Sequence, residues 1–412
     1  MKRSLVFLLV FVSMSLNLPL ISAQETLNRA YSANWSPDGR ILAINGNSGL
    51  WFYDIEHGTL EHITSDFAFI GWTSNNHVFT GRGFFNPITR HLEDSFELQR
   101  PQDIFSTRIG LSHDTTLYAL LEGDYLDTIV IYSTETGAPI RRINTTNPNA
   151  GAVTKWSPDN TLFAMQVGNR PSVLIIPNTE TPTILEYSIK NSPAYQQDQF
   201  LFRFQWSPDG DILAIGTTQA IIFLLDVQSE TFFGSLESQV PMNIAWSPDG
   251  KRLAASNMDG TITVWDVETE AILEKLQTTG LLYDLEFSPY GGVLAIANDI
   301  EKALQHNSDG SPRQLILSTN NPKLYIRSIG ERNAVQLFVP APSLQRFAEI
   351  ASFCGAPATL TAFDTQPEDS IALKVQIETL LQQLADLPEN AIPFGCTTDL
   401  TAILEALKLA AA

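Results

Sequence analysis

Cysteine is almost missing from these 412 residues: only Cys354 and Cys396 occur, with no Cys-x-x-Cys spacing. That count supports neither a thiolate metal site nor a dithiol redox motif. Histidine is scarce too. His57, His62, His77, His91, His113 and His306 are scattered without the short spacings of metal ligands. There is no Gly-x-Ser-x-Gly elbow, and Asn307-Ser308-Asp309-Gly310 is too short a match for a calcium loop. Basic residues number 25 against 45 acidic ones, for a net charge of −20. That field repels phosphate backbones and anionic lipid alike, so nucleic acid is not an expected partner. No catalytic residue, cofactor or metal is expected.

Long apolar runs are also lacking after the first twenty residues. At the start, Lys2 and Arg3 precede an apolar stretch from Leu5 to Leu18, Pro19 breaks it, and Ile21-Ser22-Ala23 stands before Gln24. Residues 1–23 therefore read as a secretory signal peptide, which makes the protein exported, extracellular or periplasmic, and free of the membrane after cleavage. No cysteine follows the cleavage point to carry a lipid. In an oxidising compartment an isolated pair such as Cys354 and Cys396 reads as a disulfide.

What the chain has in abundance is a five-residue turn. Trp35-Ser36-Pro37-Asp38-Gly39, Trp156-Ser157-Pro158-Asp159-Asn160, Trp206-Ser207-Pro208-Asp209-Gly210 and Trp246-Ser247-Pro248-Asp249-Gly250 are intact or nearly so. Phe287-Ser288-Pro289-Tyr290-Gly291 is looser, and Trp72-Thr73-Ser74-Asn75-Asn76 and Leu111-Ser112-His113-Asp114 are degenerate copies. Steps between the seven marks are 37, 39, 45, 50, 40 and 41 residues, the period of a four-stranded propeller blade. Ser-Pro-Asp-Gly spells a type I turn: Pro presets φ, Asp bonds locally, and Gly or Asn enters the left-handed region cheaply. Alternating apolar residues on both sides predict hairpins. Asp38, Asp159, Asp209 and Asp249 are assigned to turn duty.

The sixth repeat continues through Asp259-Gly260 into Thr261-Ile262-Thr263-Val264-Trp265-Asp266. With its WSPDG turn and DGTITVWD strand it resembles the WD-repeat family of β-propellers, over about residues 28 to 339. Trp265 and Asp266 are the residues that carry the likeness in that strand. The Ser-Pro-Asp-Gly propellers of bacterial periplasmic assembly systems share the turn. No repeat has the family's Gly-His dipeptide, so the hydrogen-bonded tetrad built on that histidine is not expected. Third strands are placed at 50–54, 128–132, 221–226 and 323–327, and the last blade's outer strand at 334–339. Little chain precedes blade 1, so the ring is expected to close without strand exchange, leaving a weak seam between blades 1 and 7.

After Val339 the pattern turns helical. Ser343 caps a helix presenting Leu344, Phe347 and Ile350; Thr365 and Glu368 are spaced as a capping box for a second; Thr398 and Asp399 open a third bearing Leu400, Ile403, Leu404 and Leu407. The fold reading is all-β: a seven-bladed β-propeller of four-stranded antiparallel blades over residues 24–340, followed by a small helical domain over 341–412. The functional expectation is a non-catalytic scaffold for a protein or peptide partner. Its site is placed on the ring face opposite the Ser-Pro-Asp-Gly turns, where the insertions 187–199 and 299–321 project. The alternative is a propeller enzyme, of hydrolase or quinone-dependent dehydrogenase type, with its site at the central channel. A convergent titratable cluster there would mark such an enzyme, and the sequence discloses none.

Overall fold

The computed structural model describes residues 26–411 apart from 67–68, 81–82, 94–108, 123–127, 146–153, 167–170, 181, 197–200, 279–280, 300–324, 330–334 and 389. The signal-like segment and the 299–321 insertion fall almost wholly outside these residues. Seven separate four-stranded antiparallel sheets are present, each drawn from one continuous stretch of chain. Their first strands are Ala30–Trp35, Phe69–Trp72, Ile109–Leu111, Thr154–Trp156, Leu201–Trp206, Pro241–Trp246 and Leu281–Phe287. Each ends on the residue that marks its repeat.

The turn after each mark forms for the reason its composition gives. Its fourth residue has positive φ in all seven blades: Gly39, Asn76, Thr115, Asn160, Gly210, Gly250 and Gly291. In five blades the turn's hydroxyl donates to its own acid, as in Ser36 to Asp38 (2.7 Å), Ser157 to Asp159 (2.6 Å) and Ser247 to Asp249 (2.6 Å). The same carboxylate accepts the backbone N–H two residues on, as from Arg40 (3.1 Å) and Lys251 (3.2 Å). Predicted turn residues Asp38, Asp159, Asp209 and Asp249 all act this way. Trp265 is buried and Asp266 accepts from Thr269 N (2.8 Å) in the following turn.

The core is divided into seven apolar interfaces, one between each pair of adjacent blades. Repeat tryptophans Trp35, Trp156, Trp206 and Trp246 are all buried in them. Across the joints runs a ladder of indole bonds: Nε1 of Trp72, Trp156, Trp206 and Trp246 donates to the carbonyl of Asn34, Gly110, Lys155 and Gln205 in the preceding blade (2.9–3.3 Å). Leu111 and Phe287 have no side-chain N–H to give. Trp35 has one, but its Nε1 is buried with no partner among the described residues.

Blade 7 corrects the expected strand order. Val335–Phe338 pairs with Leu294–Asp299 and holds the third position, while Tyr325–Ile329 is outermost. All four residues of Val335–Phe338 are buried, which suits an inner strand covered on both faces. From there the chain passes directly to the helices, with Pro340 O accepting from Arg252 Nη1 (3.0 Å).

Three helices follow: α1 (Leu344–Phe353), α2 (Ser370–Ala385) and α3 (Phe394–Ala410). Ser343 caps α1 as expected, accepting from Arg346 N (3.0 Å), and Leu344, Phe347 and Ile350 are buried. The other two starts differ from expectation. Asp369 caps α2 by accepting from Ile371 N (2.9 Å) and Ala372 N (2.8 Å), so Thr365 and Glu368 form no capping box. α3 begins at Phe394 behind Pro393, four residues before Thr398, so Asp399 lies within the helix and does not open it. Cys354 at the end of α1 is bonded to Cys396 in the first turn of α3, their Cα atoms 6.2 Å apart.

The helices lie on the turn side of blades 6, 7 and 1, and their apolar faces join the interface between blades 7 and 1 in one cluster. Arg346 of α1 is fully buried, pairing with Asp249 in turn 6 and donating from Nη2 to Gly291 O in turn 7 (3.2 Å). Burial opposes ionisation of Asp249, but Arg346 and Ser247 hold its carboxyl below the usual range. Asp399 of α3 accepts from Ser288 Oγ (2.6 Å) and Gly292 N (2.9 Å) of turn 7. In turn 1, the backbone of Gly39 meets that of Gly395, and the Arg40 guanidinium lies 4.3 Å from the Phe394 ring centre.

Candidate functional site: the lumen of the ring

Closing seven blades brings their first strands around an axis, and period two turns alternate side chains inward. One place before each mark stand Asn34, Gly71, Gly110, Lys155, Gln205, Ala245 and Glu286. Three places before stand, among the described residues, Ser32, Phe69, Arg203, Asn243 and Asp284. All of them line one or both of two cavities, of about 510 and 560 Å³, that open along the axis. Pro37, Pro158, Pro208, Pro248 and Pro289 of the turns rim the first; Tyr31, Phe69 and Tyr283 lie at the second, on the opposite face. Asn34, Lys155, Asn243, Asp284 and Glu286 border both, and so form the waist between them.

The charges at the waist sit on facing walls. Blade 7 supplies Asp284 and Glu286; blade 4, across the ring, supplies Lys155, and Arg203 follows on blade 5. Asp284 accepts from the Asn243 amide and, through Oδ2, from Ala33 N (3.4 Å). Glu286 Oε2 accepts from Asn34 Nδ2 (2.9 Å) and Trp35 N (3.2 Å). The two carboxylates thus bridge the joint where Trp35 lacks its indole bond. Arg203 Nε donates to Met242 O (2.9 Å).

Enclosure by the walls shifts these groups. Burial pushes Asp284 up to about 6, against the pull of its donors and of Lys155. Glu286 rises to about 8, through burial first and the neighbouring Asp284 charge second. Burial lowers Lys155, although both carboxylates favour its charged form. By accessible surface Lys155 is exposed and the two acids are half-buried, so lumen solvent moderates all three shifts. His113, in turn 3, is lowered by burial and then by Lys155.

This cluster corrects the expectation that no titratable group converges on the channel. The residues singled out from the sequence, the repeat tryptophans and turn aspartates, are brought together as ring scaffolding, while the polar residues beside them line the lumen. A signal for those residues existed: aligning the repeats on their marks puts Lys155 and Glu286 in one register and Arg203, Asn243 and Asp284 in another. Among the described residues no group of three or more His, Cys, Asp or Glu is placed to hold a metal ion. No helix among them is long and apolar enough to cross a membrane.

Seven four-stranded blades around a polar lumen define a β-propeller, carrying a helical strap on one face. Residues 205–288 match the family model described as anaphase-promoting complex subunit 4 WD40 domain, which covers blade 6 and parts of blades 5 and 7. The chain is a seven-bladed β-propeller, similar over those residues to a WD40 domain. No curated protein matches it.

Proposed function

We propose that the protein is an exported, non-catalytic scaffold that holds a protein or peptide partner on the ring face opposite the Ser-Pro-Asp-Gly turns. The observation that carries this reading is the inequality of the two faces. Turns 6, 7 and 1 are occupied by the protein's own helices through Asp249, Ser288 and Gly39. The opposite face has Tyr31, 41% exposed, set edge-on to Tyr283 at 5.6 Å between ring centres at the mouth, with Arg203 below, and Met258, 51% exposed, farther out on the blade 6 turn. Aromatic, Met and Arg side chains are what interface centres favour. Capture of partners from the native secretome tests this. Tyr31→Ala with Met258→Ala should abolish capture, and rim change Ile140→Ala should not; the reverse pattern would move the site.

Export rests on the signal-like segment and is supported by the Cys354–Cys396 bond, which needs an oxidising compartment to persist. The division at residue 340 is proposed likewise, as the boundary of the ring. Intact mass of the secreted protein should place Gln24 at the N-terminus; retention of Met1 would overturn cleavage.

A second reading, a hydrolase at the channel, is favoured by Asp284 and Glu286. Two carboxyls whose environments set them apart, near 6 and 8, are how acid and base roles are divided. It predicts turnover that Glu286→Gln abolishes while partner capture persists.

A further inference from the structure

We infer that the waist of the lumen binds a small zwitterion whose ammonium and carboxylate are several bonds apart, as in a short peptide. This goes beyond the partner surface at the mouth, because it concerns the walls beneath. The carboxylates of Asp284 and Glu286 stand on blade 7, and the ammonium of Lys155 stands on blade 4 across the axis. Neither wall is saturated. Glu286 spends Oε2 on Asn34 and Trp35, and its Oε1 has no donor among the described residues. Lys155 has no ion-pair partner within 4 Å among them. The two charges are held apart by strands fixed in different blades, so neither neutralises the other by contact.

A ligand of one sign meets an opposing wall. A cation drawn to the acids faces Lys155 and Arg203, and an anion drawn to those faces Asp284 and Glu286. A molecule bearing both charges satisfies both walls, and enclosure strengthens each attraction relative to bulk water. A neutral zwitterion also approaches a chain of net charge −20 without net repulsion. Cavities of about 510 and 560 Å³ on either side of the waist leave room for side chains and lie within the range of small-molecule sites. The raised Glu286 supports the assignment: a bound ammonium favours its ionised form, so affinity should grow as pH rises toward 8.

Diglycine, N-acetyldiglycine and diglycinamide are the probes, each titrated at millimolar concentration into the full chain and followed by ligand-observed NMR. Diglycine should bind, and the two singly charged analogues should bind weakly or not at all. Glu286→Gln and Lys155→Met should each weaken diglycine about tenfold or more, the scale of a charged hydrogen bond. They should also shift the preference in opposite senses, Glu286→Gln toward the anion and Lys155→Met toward the cation. Lys155→Arg keeps the charge and should retain most of the affinity, which separates binding from folding. Equal binding of the three probes, no binding of diglycine, or variants with unchanged preference would overturn the proposal.

Discussion

Asp399, on the third helix of the C-terminal segment, accepts hydrogen bonds from Ser288 Oγ and Gly292 N of the seventh turn. In other turns those two bonds go to the turn's own aspartate, as Ser36 Oγ and Arg40 N go to Asp38. The seventh turn has Tyr290 at that position, and the helix returns the missing carboxylate from 109 residues farther along the chain. Gly292 leaves the space, since a Cβ there would meet Asp399 Cβ at 2.6 Å.

Asp399→Ala should therefore cost about 2–3 kcal/mol, because it strands a buried hydroxyl and a buried N–H together. Tyr290→Asp in that background should recover part of the loss by rebuilding the turn's own pair. Urea unfolding of the two variants measures both; an undiminished midpoint in Asp399→Ala would mean the bonds contribute nothing.

Stability should be greater at pH 5 than at pH 8. Burial raises Asp399 to about 7 against an ordinary value of 3.8, so the folded chain binds a proton there that the unfolded chain has released. A raised carboxyl stabilises the fold at low pH and loses that contribution as pH climbs toward 7. Asp284 and Glu286 act in the same sense, more weakly because solvent reaches them. The lowered carboxyls of Asp114, Asp159 and Asp226 act oppositely only below about pH 4, while the lowered imidazole of His113 opposes the trend as pH falls through its ordinary 6.5. Melting temperatures of the parent and Asp399→Asn at both pH values check this. The asparagine should narrow the difference, and an unchanged gap would assign it to other groups.

Indole substitutions should divide by partner. Trp206→Phe and Trp246→Phe each remove a bond to the preceding blade and should cost about 1 kcal/mol. Trp35→Phe removes an N–H that has no partner among the described residues, and should be neutral or stabilising. Trp246→Ala, by contrast, empties a core position at about 3–5 kcal/mol. Equal losses for the three phenylalanine variants would deny the ladder any energetic role.

Cys354 and Cys396 close a loop of 42 residues, worth about 4 kcal/mol if the stabilisation is chain entropy. Cys354→Ser with Cys396→Ser should loosen the helices first. Hydrogen exchange in Leu344–Phe353 and Phe394–Ala410 should rise before exchange in blades 3 to 5; uniform protection would deny the bond a local effect.

The ring was legible because its repeat is written in local chemistry. A turn needing Ser, Pro, Asp and a positive-φ residue announces itself, and all seven marks fall at strand ends. The lumen was legible only as a register, one place before each mark; that Lys155 and Glu286, 131 residues apart, face each other follows only from closure. Asp399 misled for a related reason: beside Thr398 it has the composition of a helix start, yet its partners Ser288 and Gly292 lie in the seventh repeat. The reversed order in blade 7 has no local signal at all, since either strand is apolar enough for either position.

Among the described residues, three joints of the ring lack an indole bond: 2 to 3, where Leu111 stands; 6 to 7, where Phe287 stands; and 7 to 1, where Trp35 finds no carbonyl. The helices straddle two of these, gripping turns 6 and 7 through Arg346 and turns 7 and 1 through Asp399 and Gly395. Mechanically the protein is a bracelet whose clasp is the C-terminal segment, with the disulfide as its rivet. Pulled open, such a bracelet yields at the joint with neither clasp nor rung, so blades 2 and 3 are where the circle should first come apart.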